Sequence, residues 1–416
     1  MSCSKIFSGD LPELIYEIIK YFKTDHSTLH SCILVNRLWC RLAIPLLWEN
    51  PFSISTKNYN FIEIYLHDLN DDLKTKYNIS TSNTLFNYSK FIKYLNIEEF
   101  ISSVKNWSVR SSLFKIFIEN EIELHSLDIE IFNHSFNFDY ILELILQNTN
   151  FIQNIKNLNL YINHNIKDMV IKDRVIQIVN LQQNLKKILL YNSSFSLYQS
   201  LLLSNKIFDQ LNVLESIHLA YYGESLELLL QKSGDYLENF GHFLSKRHLL
   251  DIIKYCKNIK LLDLENIENQ TIYLILDLVE NIKQNLNYLS INIDIDNIEC
   301  SSIMLQNLGQ ILPSKLEYLC LNIYHIKTSD FEVFLKNIQD SFIKKLVISQ
   351  LQKQDILPYI KKYIMKRQRI KYLAILTENN DLFYLKDEVK EFKLHDIRVR
   401  KFSDLFIDTY YHLKNV

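Results

Sequence analysis

The residues best suited to chemistry lie near the amino terminus, where two histidines and two cysteines are close together in the sequence. They are His26, His30, Cys32 and Cys40, and imidazole nitrogens with thiolates are the usual protein ligands of zinc. The cysteines do not form the closely spaced pair of a zinc motif, however, and Cys32 falls on the apolar face of a predicted helix. A free cysteine there acts as a small hydrophobe. We therefore predict no metal and no cofactor.

The scarcity of glycine argues against nucleotide chemistry. The 416 residues include only 5 glycines, all isolated, so neither G-x-G-x-x-G nor the P-loop pattern occurs. Those patterns let backbone amides close around phosphate groups. The chain also lacks G-x-S-x-G, H-E-x-x-H and any cysteine–histidine signature of a nucleophilic enzyme. We predict that it is not an enzyme.

The charge balance argues against nucleic acid as a partner. The formal net charge is −2, from 46 basic and 48 acidic residues, and no groove of interleaved basic and aromatic residues is evident. One basic run stands out near the carboxyl terminus: Lys361, Lys362, Lys366, Arg367, Arg369 and Lys371. Such a run can bind an acidic segment or a phosphate, but it is more often a solvated helix face.

Cysteine usage and hydropathy bear on location. The six cysteines are scattered without a C-x-x-C pair, which favours a reducing intracellular compartment over a disulfide framework. The first ten residues lack the apolar run of a signal peptide, and no apolar stretch is long enough to cross a bilayer. We expect a protein of the cytoplasm, the nucleus or both, with no membrane partner.

The elements that would position these residues begin with short amphipathic helices. The first apolar stripe has helical spacing and consists of Leu11, Leu14, Ile15, Ile18, Ile19 and Phe22. Asp10 and Glu13 around Pro12 predict a capping box at its start. Apolar residues from 29 to 42, and the break at Pro45, predict two more helices. Three short helices bury too little surface to be stable alone, so we expect them to dock onto something.

Three segments of this region, in their order and spacing, resemble an F-box. They are Leu11-Pro12-Glu13-Leu14-Ile15, then Leu34-Val35-Asn36-Arg37 with Trp39, and Leu46-Leu47-Trp48. The resemblance covers residues 8–52 and implies a helical hook for the Skp-type adaptor of a cullin-based ubiquitin ligase. Carried over by position, the implied adaptor-binding residues are Leu11, Pro12, Leu14, Ile15, Ile18, Ile19, Val35, Asn36 and Trp39. The alternative is that the stripe serves only as internal core.

After a predicted helical connector at residues 53–90, one pattern recurs. The pattern L-x-x-L-x-L, with apolar residues at positions 1, 4 and 6, occurs twelve times from Ile92/Leu95/Ile97 to Val389/Phe392/Leu394, about 27 residues apart. One occurrence, Leu237/Phe240/His242, is degenerate. That period is typical of leucine-rich repeats. Helical stripes lie between these sites, so each unit is a strand followed by a helix.

We therefore predict an α/β fold in which the three-helix F-box precedes a leucine-rich-repeat solenoid at residues 91–416. Parallel strands would line its concave face and helices its convex face. An apolar stripe from residue 402 to residue 413 would form a C-terminal cap. A purely helical solenoid is the alternative, but it does not explain the 1-4-6 spacing.

Positions 3, 5 and 7 of each strand would face the concave side. Two sets of tyrosines recur there: Tyr288, Tyr318 and Tyr372 at position 3, and Tyr161 and Tyr191 at position 7. Tyrosine gives rigid contact area in protein-recognition surfaces, so we predict that these five bind a client protein. Because the chain contains 25 tyrosines, they could instead simply cover neighbouring backbone.

These expectations predict the substrate-recognition subunit of an SCF-type ubiquitin ligase. The F-box would hold the adaptor and, through it, a cullin, while the repeats would present an unknown client protein. The resemblance implies that other subunits carry out ubiquitin transfer. Two alternatives stay open: a leucine-rich-repeat scaffold that works outside degradation, and a small-molecule receptor that uses the concave face.

Overall fold

The fold divides into two compact units, residues 1–185 and 186–416. The computed structural model describes residues 11–23, 25–53, 64–67, 74–75, 85–104, 106–120, 122–131, 136–162, 169–191, 213–219, 226–243, 245–265, 267–293, 298–350, 354–365, 369–378 and 380–415. Both units combine parallel strands with helices. None of the described helices is long and apolar enough to span a membrane.

The first unit begins with three helices around one core: α1 (Pro12–Lys20), α2 (His26–Ile33) and α3 (Arg37–Leu47). Their buried residues are Ile15, Ile19, Leu29, Cys32, Ala43 and Leu46. The predicted capping box at the start of α1 is wrong, because the helix begins at Pro12 and its N-cap is Leu11, which makes no side-chain cap. Asp10 lies outside the described residues.

The described part of the first unit also contains a parallel sheet and, after the first strand of that sheet begins, four α-helices. The strands are β1 (Tyr94–Asn96), β2 (Ser126–Ile131) and β3 (Asn157–Ile162), each paired with the next. The helices are α4 (Ile97–Ser103), α5 (Trp107–Glu119), α6 (Phe136–Gln147) and α7 (Met169–Asn180).

The three-helix segment is fixed to this sheet through Glu49, just after α3. Its backbone carbonyl accepts hydrogen bonds from the amides of Lys93 and Tyr94 at 2.9 and 3.0 Å. Its carboxylate is 4% exposed and lies 2.7 Å from the amines of both Lys23 and Lys93. Burial opposes the charged form of Lys23, but hydrogen bonds to Glu49 and Tyr94 outweigh it and raise the pKa of Lys23.

Little of the predicted connector at 53–90 is described, but one of its residues is firmly packed. The Tyr65 side chain is 1% exposed. Its ring lies 5.3 Å from that of Trp48 and 5.4 Å from that of Phe117, measured between centroids. Aromatic packing of this kind therefore joins the connector to the end of the helical segment and to α5.

The second unit contains nine strands among its described residues: β4 (Lys187–Tyr191), β5 (Ser216–Leu219), β6 (Asn239–Phe243), β7 (Leu261–Glu265), β8 (Tyr288–Ile293), β9 (Lys315–Ile323), β10 (Phe342–Ser349), β11 (Tyr372–Leu376) and β12 (Arg398–Val399). Each strand pairs in parallel with the next along the chain.

From β5 to β12, the described helices of the second unit alternate with the strands, and two more described helices follow β12. In chain order, the helices are α8 (Leu226–Ser233), α9 (Lys246–Tyr255), α10 (Ile272–Ile282), α11 (Ile298–Ile311), α12 (Thr328–Asn337), α13 (Leu357–Ile364), α14 (Lys386–Leu394), α15 (Phe402–Leu405) and α16 (Thr409–Asn415). The predicted α/β architecture with parallel strands is confirmed.

Strand β8 illustrates how the repeat sorts side chains to two faces. Leu289 and Ile291, at positions 4 and 6, are fully buried, while Tyr288 and Ser290 on the opposite face are half-buried. The register aligns equivalent positions of successive strands, so that Tyr288 lies beside Tyr318. Positions 3 and 5 therefore form continuous rows across the sheet.

The last predicted strand is wrong. Val389, Phe392 and Leu394 belong to helix α14, and the two-residue strand β12 follows at Arg398. Apolar residues three apart fit one face of a helix as well as positions 1 and 4 of the strand pattern. Phe392 is fully buried, whereas Leu394, at the end of α14, is 83% exposed.

Candidate functional site

Helix α1 is apolar on two sides, of which the described chain covers one. Ile15 and Ile19 are fully buried, while Leu11, Leu14 and Ile18 are 39%, 45% and 39% exposed. We call these three exposed residues the helical edge. A helix that is apolar on both sides is typical of one that is buried on both sides, and exposed apolar patches mark interaction surfaces.

The structure narrows the predicted adaptor-binding set. Ile15 and Ile19 belong to the core of the three helices, so they have no surface to offer a partner and we remove them. Asn36 is exposed, and its side chain caps α3 by accepting a hydrogen bond from the Trp39 amide at 2.9 Å. The Trp39 side chain packs against the same core.

Two further predicted residues, and one that the prediction missed, lie around this edge or in the turn between α2 and α3. Pro12 occupies the first turn of α1 and is half-buried. Val35 is 54% exposed, and its neighbour Leu34 is 76% exposed. The signal for Leu34 was its place beside Val35 in the turn before Asn36, where an apolar side chain has no helix to pack on.

The histidine and cysteine cluster near the amino terminus shows no metal geometry. Within the part of the chain that the structure describes, no three His, Cys, Asp or Glu side chains come together as metal ligands. Cys32 lies in the core of the three helices, and burial raises its pKa. Burial likewise raises the pKa of Cys256 and Cys320 to about 12, so these thiols are poor nucleophiles at neutral pH.

In the second unit, the strand register forms two rows on one face of the sheet. The position 3 row contains Lys187, Ser216, Asn239, Leu261, Tyr288, Tyr318, Lys345, Tyr372 and Arg398. The position 5 row contains Leu189, His218, Gly241, Asp263, Ser290, Cys320, Val347 and Ala374. We call this surface the tyrosine face.

The register brings together only some of the predicted client-binding tyrosines. The rings of Tyr288 and Tyr318 are adjacent, with centroids 6.0 Å apart, and Lys345 separates Tyr318 from Tyr372 in the row. Tyr161 is half-buried in β3 of the first unit. Tyr191 ends β4, and its side chain lies outside the described part of the chain.

The C-terminal residues 401–415, which we call the strap, lie on the tyrosine face. Leu405 packs there with Cys320 and Val347, and Tyr410 and Leu413 pack with Leu189 and Leu261. The predicted C-terminal cap is therefore corrected: the segment covers the face of the sheet and not its end. The physical reason is area, because the two-residue strand β12 offers far less apolar surface than the eight strands β4–β11.

The first half of the strap is held through its backbone amides. The Asp381 carboxylate accepts a hydrogen bond from the amide of Phe402 at 2.7 Å. The Tyr318 hydroxyl accepts one from the amide of Ile407 at 3.1 Å. Tyr318 is consequently 2% exposed, so the predicted client-binding role of this tyrosine is excluded while the strap is in place.

Two charged residues of the sheet hold helix α16. The amine of Lys187 donates a hydrogen bond to the backbone carbonyl of Leu413, where a cation stabilises the carbonyl end of a helix. Asp263 accepts hydrogen bonds from Ser290 and Thr409, yet burial outweighs them and raises the pKa of its carboxyl group. The sequence assigned Lys187 and Asp263 to positions 3 and 5 but gave no sign of what they would bind.

Gly241 leaves the space in which α16 begins. A Cβ atom at this position would lie 2.7 Å from Cδ2 of His218 and 3.4 Å from Cγ2 of Thr409. Any larger residue would push against the ring of His218 and then against the strap. An isolated glycine in a strand often marks such a close approach, and this was the signal available in the sequence.

The basic run has a structural explanation. Lys361 pairs with Glu388 and Glu391 of α14, and Lys362 pairs with Glu332 of α12 at 2.8 Å. Further described members of the run have partners too: Arg369 binds Asp340, and Lys371 lies over the ring of Tyr372. Lys366 and Arg367 lie outside the described residues. The ion pairs join neighbouring helices, which leaves little free charge for an acidic ligand.

A cavity of about 240 Å³ lies beside the carboxyl ends of β10 and β11. Ile356, Ile375 and Leu382 line it together with Gln350, whose side-chain amide donates to the carbonyl of Gln354 at 2.6 Å. Pockets for drug-sized ligands are usually about 300 to 1,000 Å³. This cavity is smaller than that range.

Comparison with known proteins adds no family to these observations. No protein-family model matches the chain, and no curated protein matches its sequence. The function is therefore inferred from the residues and their geometry.

Proposed function

We propose that the chain is the substrate-recognition subunit of an SCF-type ubiquitin ligase, with an F-box at residues 8–52 and leucine-rich repeats behind it. The observation that carries the proposal is the helical edge. Leu14 and Ile18 are 45% and 39% exposed on a helix whose other side is already buried in its own core. These are the residues that the F-box resemblance assigns to the adaptor.

The helical edge is rigid, as a surface that binds a partner with little loss of entropy should be. Pro12 stiffens the first turn of α1, so little conformational entropy is lost when a partner binds. The core of Ile15, Ile19, Leu29 and Leu46 holds the exposed side chains at fixed positions. Preorganised apolar anchors of this kind supply most of the binding free energy at protein interfaces.

The ion pairs of Glu49 fix the three helices to the first sheet. Its carboxylate binds Lys23 and Lys93, and its carbonyl binds the amides that begin β1. A partner held by α1 would therefore be held in a defined orientation to the first sheet. In a ligase that needs a client at a set place, such rigidity raises the effective concentration of the reacting groups.

The test is a pull-down of the full chain with a purified Skp-type adaptor. We expect the double variant Leu14→Asp/Ile18→Asp to reduce adaptor retention at least about tenfold, because each charge would be desolvated at the interface. The matched control is Leu394→Asp, which places the same charge on a leucine that is 83% exposed at the end of α14. Circular dichroism checks that both variants fold.

Unchanged retention of the double variant, or an equal loss in the control, would contradict the proposal. A chain that binds the adaptor but never carries ubiquitinated clients would support the scaffold alternative. A metabolite that raises the melting temperature would support the small-molecule receptor.

A further inference from the structure

The strap contacts the sheet in the way that a bound peptide contacts its receptor. Its inner side supplies separate apolar anchors, Leu405, Tyr410 and Leu413, which are 8%, 2% and 2% exposed. Its outer side faces solvent, with Phe406 41% and Tyr411 55% exposed. The strap is therefore a single layer on the sheet and not an inner part of the fold.

The core behind the sheet does not depend on this layer. Leu289 and Leu319 are fully buried at position 4 of their strands, on the face opposite Tyr288 and Tyr318. The strap can leave without opening that core, because successive side chains of a strand point to opposite faces.

Two of the hydrogen bonds from the sheet to the strap involve only backbone atoms of the strap. The Tyr318 hydroxyl binds the amide of Ile407, and the Lys187 amine binds the carbonyl of Leu413. Any polypeptide in the same conformation offers these atoms. Three side chains of the strap make contacts that depend on their chemistry. The Thr409 hydroxyl donates a hydrogen bond to Asp263, and the ring of Tyr410 and the side chain of Leu413, three residues apart on a short helix, pack on the sheet.

We propose that the tyrosine face is a peptide-binding groove, that the strap occupies it as a built-in ligand, and that a client segment with the same chemistry displaces the strap. That segment has an extended stretch followed by a short helix with an aromatic residue and a leucine three positions apart. Calling this segment a client rests on the proposed ligase function; the groove itself does not.

His412 shows how a client segment can bind better than the strap. Its ring lies 5.8 Å from that of Tyr288, and burial together with the charges of Lys345 and Lys187 lowers the pKa of this histidine. An acidic residue in the same place would be attracted by the two lysine charges, which act against a charged imidazole at His412. The client segment therefore carries Asp or Glu between its aromatic residue and its leucine.

Tethering sets the affinity that such a segment needs. A short covalent link gives the strap an effective concentration on the order of millimolar. A free segment must exceed that advantage, so it must bind the open groove much more tightly than the strap sequence does. The acidic residue and any additional client contacts are the sources of this difference.

The experiment measures binding of a fluorescent peptide with the sequence of residues 401–416 to three full-length chains. Leu413→Asp opens the strap by placing a charge at a buried anchor, and Tyr411→Asp is the matched control at an exposed position of the same helix. We expect the peptide to bind the Leu413→Asp chain at least about tenfold more tightly than the wild type or the control. Hydrogen exchange of residues 401–415 reports whether the strap is open.

Variants of the peptide test its chemistry. The peptide with His412→Glu should bind the open chain several-fold more tightly than the unaltered peptide, and the peptide with Leu413→Asp should not bind. If the Leu413→Asp chain fails to fold, Leu405→Asp opens the strap at another of its own buried anchors and leaves the groove unchanged, and the same peptide series is used.

An open strap without peptide binding would overturn the inference, as would equal binding to all three chains. The adaptor pull-down of Leu14→Asp/Ile18→Asp is independent of these measurements. Peptide binding with no adaptor retention would refute the ligase function and leave the groove standing. Adaptor retention without peptide binding would overturn the peptide-binding groove and leave the ligase function standing.

Discussion

The helical edge of the first unit and the tyrosine face of the second unit both carry apolar side chains, but only the tyrosine face is covered by described residues of the chain. Leu14 and Ile18 stay 45% and 39% exposed, whereas Tyr318 and Leu413 are each 2% exposed beneath or within the strap. The described part of the chain covers the tyrosine face and leaves the helical edge uncovered. A surface with no internal cover binds without competition, while a covered surface binds only what displaces its cover.

The largest expected effect sharpens the distinction between core and edge within α1. Ile19→Ala should lower the free energy of unfolding by about 2 to 5 kcal/mol, because it leaves a cavity in the core of the three helices. Ile18→Ala, one residue earlier and 39% exposed, should change it by less than about 0.5 kcal/mol but still reduce adaptor retention. Urea denaturation and the adaptor pull-down measure the two effects, and equal destabilisation by both variants would refute the assigned faces.

The α/β fold could be predicted from the sequence because the same apolar strand pattern recurs along the chain. A strand buries positions 4 and 6 of its repeat. Between Ile92 and Ile375 this pattern appears ten times in full and once with His242 at position 6, each time at an observed strand. The pattern failed at residues 389–394, where only one helical turn of apolar spacing was available.

The candidate site could be predicted only in part. A helical stripe shows that Leu14, Ile15 and Ile18 are apolar, but not which side of a broad stripe the chain itself covers. The strap was visible as an amphipathic segment, yet its position depends on contacts with Leu189 and Cys320, more than 80 residues away. The spacing of apolar residues shows which side of a helix or strand is apolar, but not which distant part of the chain that side packs against.

The next largest effect concerns the start of the strap. The Asp381 carboxylate binds the amides of Phe383 and Phe402 at 2.9 and 2.7 Å, so Asp381→Ala removes two hydrogen bonds to a charged group. We expect a loss of about 2 kcal/mol, seen as faster hydrogen exchange at Phe402. The control is Asp387→Ala, whose side chain is 98% exposed. Equal exchange at Phe402 in both variants would mean that the strap is not anchored there.

A smaller effect tests the middle of the strap. Tyr318→Phe keeps the ring but removes the acceptor of the Ile407 amide, so we expect a loss of about 1 kcal/mol and roughly fivefold faster exchange of that amide. Tyr384→Phe, at a tyrosine that is 64% exposed, should leave it unchanged. No acceleration in Tyr318→Phe would indicate that apolar packing alone holds this part of the strap, which would weaken its likeness to a bound peptide.

The smallest expected effect depends on pH and concerns Asp263. Its pKa is raised above the ordinary value because the strap buries it, and the nearby charge of Asp408 adds to the shift. The closed state therefore binds the proton more tightly than the open state. The stabilisation is present at low pH and is lost as the pH rises through the raised pKa, when a buried charge forms under the strap.

Asp263→Asn keeps a polar side chain without the charge. We expect strap amides to exchange about threefold more slowly in Asp263→Asn than in the wild type at about pH 8, and at nearly the same rate at about pH 4. His412 titrates in the opposite sense, since its pKa is lowered, but both chains contain it and the comparison at matched pH cancels it. Asp404→Asn, at an exposed position of the strap, should show no such pH-dependent difference. If the ratio of exchange rates between Asp263→Asn and the wild type does not change with pH, Asp263 stays neutral over the whole range. Ionisation of Asp263 would then play no part in opening the strap.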